Sequence, residues 1–503
     1  MEHQLPILAK DTGPNPMRAA LSLLPTGRIR AHTAILCVLL LFGSCALAQS
    51  APVSPDHPWH SVGEQRIEAD AKNSRESSFS IDPIKSYSLA ELIDLAEMHN
   101  PETQLAWERA REQTAAFGVA RSELFPTLAA AALSQTSRQE TYLGTRYYRQ
   151  TFQDFQGALD LNYTVFDFGA RAGRIDASKA VVLAANFEFN DTHRSVIHRV
   201  EQAYYQLLNA SGQEDAARAS LSNAQVVQQS AEERLKNGLA TLPDVLEARS
   251  ATAQAEYELQ AVLGAEEIAQ GNLATALGTS PTATIHTETL KELPTPGSID
   301  DSVDLAISRA FAQRPDLMRL AAEIRSSNAR VKEARAAYYP SLGINVNPVA
   351  QTLDGLQQTL PWGQTAGLTG GLSLSLNWTV FDGGARKNKV VQAEANVRAA
   401  EAQARAARDE IANQVWDAYS NLNTAFRQRL AATELLRAAS QSYDSALESY
   451  NYGLRNFLDV TAAQRALARA LSTDVLARTQ VLIALADLAF RTGDSIQPAA
   501  TRP

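Results

Sequence analysis

Two near-copies of one string, YTVFDFGAR at residues 163–171 and WTVFDGGAR at 378–386, lie about 215 positions apart in a chain of 503 residues. The match runs far beyond the string. Asn100-Pro101 corresponds to Arg314-Pro315, and Phe125-Pro126 to Tyr339-Pro340. Val200, Ala203, Tyr204 and Leu207 correspond to Val415, Ala418, Tyr419 and Leu422. Gly238-Leu239 corresponds to Gly453-Leu454, Asp244-Val245 to Asp459-Val460, and Gly278 to Gly493. A constant offset over this span means one unit of nearly two hundred residues used twice, so the fold must be one that a duplicated unit can build.

Each unit has the same internal pattern. A short helix (about 88–99; about 303–313) stops at a proline that suits the first turn of a second helix. That helix, about 24 residues long (101–124; 315–338), ends ahead of Pro126 or Pro340, because a residue before proline disfavours the α region. A period of two follows. In 158–166, Leu159, Leu161, Tyr163 and Val165 alternate with Asp160, Asn162 and Thr164. In 372–380, Leu372, Leu374, Leu376, Trp378 and Val380 alternate with Ser373, Ser375, Asn377 and Thr379, and Leu342, Ile344 and Val346 alternate with Gly343, Asn345 and Asn347. The run 127–136 is alanine-rich and less decisive. Each unit is therefore expected to hold two strands, of about the ~9–11 residues that cross a bilayer when tilted.

A long helix is then predicted from Phe168 or Gly383, capped by Asp167 or Asp382. Apolar positions at 397, 400, 404, 407, 411, 415, 418 and 422 trace a coiled-coil seam rich in alanine. The helix runs to about 236 or 451, roughly 100 Å at 1.5 Å per residue. A glycine-containing turn leads to a return helix of about 35 residues, closed by Gly278 or Gly493. The 24-residue and 35-residue helices, laid end to end, nearly match the long one. The unit reads as a tall helical column with a β-hairpin at one end and a tight turn at the other.

The N-terminus reads as a secretory leader over 1–48. Arg28 and Arg30 precede the apolar run 34–42, which is too short to span a bilayer, and Ala46-Leu47-Ala48 has the spacing of a cleavage site. Cys37 and Cys45, the only two cysteines, both fall in it; Cys45 is also a candidate lipidation site. Residues 49–86 read as a flexible linker, 87–278 as the first repeat (strands about 127–166, tip about 237–243), and 279–302 as an inter-repeat linker. The second repeat covers 303–493 (strands about 341–381, tip about 452–458), and 494–503 is a tail. An exported chain with no apolar run of ~20 residues is either soluble or a barrel. Four strands cannot close, and an open edge is forbidden in lipid, so several chains must pool their strands. The leucine and aromatic side suits lipid and the Ser/Asn/Thr/Asp side a wet lumen. Tyr163, Phe166, Trp378 and Phe381 are the expected interface aromatics.

These residues resemble the TolC-like outer membrane efflux family. The strings that carry the resemblance are NWTVFDGGAR, LAELIDLAEMHNPETQ, the P-[ST]-L strand starts and YGLRNFLDVTAAQRAL, in an order that covers about 87–493. The resemblance implies a mainly α fold with a membrane β-barrel. A homotrimer would pool four strands per chain into a twelve-stranded barrel, above an antiparallel α-helical coiled-coil barrel in the periplasm. It implies passive export across the outer membrane, with a periplasmic adaptor and an inner-membrane pump of RND or ABC type as partners. It also implies a periplasmic gate at Asp459, with Ala462 where a second acid often stands, and a latch of Tyr450, Arg455 and Asp244. The tip residues Gly238, Leu239, Gly453 and Leu454 resemble the surface that receives adaptor hairpins. Read from the residues alone, Thr241-x-x-Asp244 and Asn456-x-x-Asp459 are helix N-caps.

Chemistry is not indicated. There is no phosphate-cradling loop, Walker lysine or Ser-His-Asp signature, so no enzyme, cofactor or metal is expected. Lys+Arg 46 against Asp+Glu 55 gives a net charge of −9, which argues against a nucleic-acid surface. Two other readings stay open at this point: a conduit for polypeptides in a type I secretion system, and a periplasmic coiled-coil spacer that transports nothing.

Overall fold

The computed structural model describes residues 67, 69–70, 79, 81–143, 145–289, 302–357 and 363–494. The chain divides into Met1–Ser77 and Ser78–Pro503, and every element below belongs to the second unit. The expected leader with Cys45, most of 49–86, and 495–503 lie outside the described residues.

In chain order the elements are β1 (Ser86–Tyr87), α1 (Leu89–His99), α2 (Pro101–Ser122), β2 (Thr127–Leu143), β3 (Arg146–Phe166), α3 (Ala170–Lys236) and α4 (Leu242–Ala276). Then come β4 (His286–Thr287), α5 (Val303–Gln313), α6 (Pro315–Ala336), β5 (Ser341–Gln357), β6 (Gly363–Asn377), α7 (Ala385–Asn451) and α8 (Phe457–Thr492). The series short helix, helix, two strands, long helix, return helix thus occurs twice.

The break between α1 and α2 shows why the lengths match. Asn100 caps two helices at once. Its Oδ1 accepts from Glu102 N–H (2.8 Å), the start of α2, while its Nδ2 donates to Ala276 O (2.9 Å), the end of α4. Gly278, in the left-handed region at φ 80, lets the chain leave α4 against Pro101. So α2 and α4 abut head to tail beside α3. In the second series Arg314 replaces Asn100 and donates to Arg491 O (3.3 Å) at the end of α8, while pairing with Asp316 (2.6 Å). Both α3 and α7 hold 67 residues, about 100 Å.

The seam of α7 is a heptad. Ile411, Ala418, Ala425, Ala432, Ala439 and Ala446 recur every seven residues, with Val415, Leu422, Tyr443 and Tyr450 four residues further on, and all are buried. Its upper part differs from expectation. Val397 is buried, but Ala400, Ala404 and Ala407 are only half-buried. The neighbours are unequal. α3 packs on α1, α2, α4, α6 and α8, whereas α7 packs on α5, α6 and α8. α3 and α6 come close where Gly173 lies: a Cβ there would stand 2.8 Å from Glu333 N.

The strands form one antiparallel sheet in the order β2-β3-β5-β6, so β2 and β6 are its edges. At 17, 21, 17 and 15 residues they are longer than the ~9–11 expected. The extra length is the continuation of both hairpins beyond a bilayer's thickness. Register puts Asp154, Gln156, Asp160, Asn162, Asn345, Gln351, Ser373 and Ser375 on one face, and Phe155, Leu159, Leu161, Leu342, Ile344, Val346, Leu372 and Leu374 on the other. The polar side chains bond across strands, with Asn345 Nδ2 to Asn162 Oδ1 at 2.8 Å and Gln351 Nε2 to Asp154 Oδ1 at 3.0 Å. The apolar face is bare, with Leu372 77 % exposed.

Three expectations are corrected. The strand of the second unit ends at Asn377, so Trp378, Val380 and Phe381 lie past it. The long helices start at Ala170 and Ala385, with Gly169 and Gly384 in the left-handed region as N-caps. Asp167 and Asp382 stand two residues earlier and reach over this turn. Asp382 accepts from Gly384 N–H (3.1 Å), Arg386 N–H (3.0 Å) and Arg386 Nε (2.8 Å), and these bonds hold its carboxyl below the usual range against the opposing effect of desolvation. Finally, the end of the expected linker is ordered. Phe79, Ile81 and Tyr87 pack on the core around Leu92, Val200, Tyr204, Leu208, Leu273 and Ile285, and β1 pairs in parallel with β4.

Two predictions follow from this packing. Gly173→Ala forces α3 from α6 and costs about 1–3 kcal/mol, read as a lower Tm in detergent; an unchanged Tm would contradict the close crossing. Glu266 on α4 is pushed up by burial and by its partner carboxylate Glu214 on α3. The folded state therefore keeps a proton that the unfolded chain loses near pH 4.5, so stability falls as pH rises from there through the raised folded pKa. Glu266→Gln should flatten that slope and raise Tm at pH 7.

Candidate functional site

The two turns at the far ends of the long helices are built alike. At the end of α3, Gly238 N–H donates to Leu235 O (2.9 Å) and Leu239 N–H to Arg234 O (2.8 Å). At the end of α7, Gly453 N–H donates to Tyr450 O (2.9 Å) and Leu454 N–H to Ser449 O (2.8 Å). Both are Schellman closures, with Gly238 at φ 69 and Gly453 at φ 74. They leave Leu239 and Leu454 largely exposed at the tips, with Tyr452 and Leu458 beside Leu454. Behind them the four helices share a core of Val227, Val245, Tyr443, Tyr450, Phe457 and Val460.

Asp244 and Asp459 both start return helices. The Asp244 carboxylate accepts from Thr241 N–H (2.9 Å) and the Thr241 hydroxyl (2.8 Å). Asp459 N–H donates to Asn456 Oδ1 (2.9 Å), which leaves the Asp459 carboxylate half-buried with no partner of its own among the described residues. Tyr450 is buried to 4 % exposure, and its hydroxyl meets no hydrogen-bond partner. Burial raises its pKa; the Arg234 guanidinium opposes this and the Asp244 charge adds to it. The structure thus brings Tyr450 and Asp244 within electrostatic reach. It does not bring in Arg455, which is exposed on the turn and makes no ion pair among the described residues.

The residue that joins the turns is Arg234, which sequence reading missed. Its guanidinium lies 4.6 Å from the Tyr450 ring centre and donates to Asn451 O (3.0 Å) and Leu239 O (3.4 Å). Beside it Ser230 Oγ donates to Asn451 Oδ1 at 2.7 Å. One side chain therefore ties the last turn of α3 to the last turn of α7. A signal was present: a basic residue in a helix's last turn suits unpaired carbonyls. The repeat gave no second cue, because the matching position is Ser449.

At the other end, aromatic side chains gather where strands become helices. Phe166 closes β3, Trp378 follows β6 and donates from Nε1 to Tyr338 O (3.1 Å), and Phe381 is 87 % exposed. Tyr163 is half-buried, with the Arg171 guanidinium 5.9 Å from its ring centre. Phe168, which takes φ 51 where the second series has Gly383, stacks on Tyr339 at 4.9 Å. Exposed Phe125 and Tyr338 complete a collar of which sequence reading named only four members.

Residues 92–279 and 306–494 match the family described as outer membrane efflux protein. The chain belongs to that family. Among its relatives, Protein CyaE of Bordetella pertussis is 28 % identical over 390 residues, covering 76 % of this chain and 79 % of that one. Outer membrane protein OprJ of Pseudomonas aeruginosa is 26 % identical over 470 residues, covering 90 % and 93 %. The solved outer-membrane channel OprN superposes with a TM-score of 0.70 at 20 % identity, covering 88 % of this chain and 98 % of that one.

This efflux protein is an outer-membrane channel component, with its sheet in the membrane and its helical columns in the periplasm. Among the described residues no helix is long and apolar enough to cross a membrane, and the sheet carries a bare leucine face. The spacer reading is set aside. With the other four tryptophans changed to Phe, Trp378 emission should be quenched by lipids brominated near the headgroup. Quenching only by bromines at the bilayer centre, or none, would remove Trp378 from the interface.

Proposed function

We propose that three copies assemble into a closed twelve-stranded barrel on a helical tunnel, and that this duct passively exports substrates passed on by an inner-membrane pump through a periplasmic adaptor. The observation that carries the reading is the sheet itself: four strands, two unpaired edges and one bare apolar face. In lipid those edges must pair, and only other copies offer matching strands. Two copies would give eight strands, whose interior side chains fill. Three give twelve and leave a wet lumen lined by the Asp/Asn/Gln/Ser face. The unequal neighbours of α3 and α7 support a ring, since the free flank of α7 can meet the free flank of α2 and α4 on the next copy.

In this reading the tips close the tunnel. Three copies of Asp459 near one axis repel one another, and a bound cation relieves that repulsion. Tyr450, Asp244 and Arg455 form the latch, with exposed Arg455 reaching a neighbouring copy. Arg234 holds the two turns of each chain together. The bare tip residues around Gly238-Leu239 and Gly453-Leu454 receive the adaptor. The same Asp244 and Asn456 contacts also cap their helices, so gate and cap coexist. The leader over 1–48 would direct export.

Single-channel recording of the purified protein in planar bilayers tests this. Tyr450→Phe with Arg455→Ser should raise conductance several-fold, and Asp459→Ala should abolish block by divalent cations. Unchanged conductance in the double variant would remove the latch. Failure of the wild type to form SDS-resistant trimers would remove the duct.

A further inference from the structure

The helix ends next to the sheet carry a charge opposite to that of the whole chain. Take the last seven residues of α2 and α6, the first ten of α3 and α7, and the short segments joining them to the strands. They hold ten Lys and Arg against six Asp and Glu, in a protein of net charge −9. Internal pairing sharpens the imbalance. Arg171 binds Asp167 (3.2 Å) and Arg386 binds Asp382 (2.8 Å). Arg174 binds Glu123 (2.6 Å) and Glu333 (3.5 Å), and Arg335 binds Glu394 (2.7 Å). Four arginines thus consume five of the six acids.

What remains is Arg121, Lys179, Arg330, Lys332, Lys387 and Lys389, all exposed and without an ion pair among the described residues, against Asp176 alone. They sit within about 15 Å of the strand ends, from 1.5 Å of rise per helical residue. The aromatic collar of Trp378, Phe381, Tyr338 and Phe125 lies between them and the leucine face. Apolar surface, aromatic rings and unpaired cations therefore follow one another along a single axis, in the order in which hydrocarbon, interface and phosphate follow one another in a leaflet.

We propose that this basic collar docks on anionic phospholipid headgroups of the periplasm-facing leaflet and sets the depth of the barrel in the membrane. The partner is identified by charge complementarity and by continuity with the lipid-facing sheet. An internal structural role does not account for six cations that touch no carboxylate. Phosphates at the collar's level neutralise what the chain leaves unpaired, and the attraction fades beyond the ~8 Å screening length at physiological salt.

The test uses full-length protein and vesicles of phosphatidylcholine alone or with one-fifth phosphatidylglycerol. Wild-type protein should insert into, and in native mass spectrometry retain, the anionic lipid preferentially. Changing Arg330, Lys332, Lys387 and Lys389 to Gln should reduce that preference by up to about fivefold per charge at low salt. Lys332, Lys387 and Lys389 changed to Arg should keep it, and 1 M NaCl should erase it. Equal binding to both vesicles by the wild type would overturn the proposal. So would an unchanged preference in the Gln variant, or an equal loss of binding to neutral and anionic vesicles by a Gln variant of unchanged Tm, which would give these cations no part in choosing the headgroup.

Discussion

A backbone N–H or C=O left unpaired in hydrocarbon costs several kcal/mol, and this one penalty organises the molecule. The sheet β2-β3-β5-β6 satisfies its inner strands through a continuous ladder but leaves the outer edges of β2 and β6 open. Its apolar face is bare, and no helix among the described residues covers it. In lipid, edges of this kind must find other strands, and a face of this kind suits hydrocarbon. The alternation of Leu372, Leu374 and Leu376 with Ser373, Ser375 and Asn377 is thus a membrane signature.

The helical half solves a different problem, that of building a column about as long as α3 from pieces with a hairpin inserted between them. The solution is the junction at Asn100 and its counterpart Arg314. Each satisfies the carbonyl end of one helix while sitting at the amide end of another, so two shorter helices stack as one. Alanines at seven-residue spacing then let the columns approach closely, and Gly173 permits the tightest approach at any helical glycine among the described residues. The hairpin leaves the column at the end where the aromatic collar lies, and the turns close it at the other.

Charge is distributed along this axis. At the tip the Asp459 carboxylate has no partner among the described residues, whereas Asp244 is held by Thr241. Unpaired cations collect beside the sheet. Two tip cations also lack a carboxylate partner among the described residues: Arg455 is exposed, while Arg234 stacks on Tyr450 and donates to two turn carbonyls. Arg234 makes the two turns of one chain a single body, so any separation of the turns must break that contact.

Much of this was written in the chain itself. The duplication, the period-two runs, the Pro and Gly stops and the seven-residue seam are local or short-period patterns, and local sterics and burial suffice to read them. The class of fold, the helix lengths and the cap residues Thr241 and Asn456 followed from them. Tertiary structure alone decided where the sheet's register placed each side chain, that Asn100 and Arg314 join helices 176 and 177 residues away, and that Arg234 rather than Arg455 lies on Tyr450. It also decided which collar arginines are neutralised. These depend on which distant surfaces meet, and a side chain's spacing along the chain carries no record of the neighbour it finds across a packed interface.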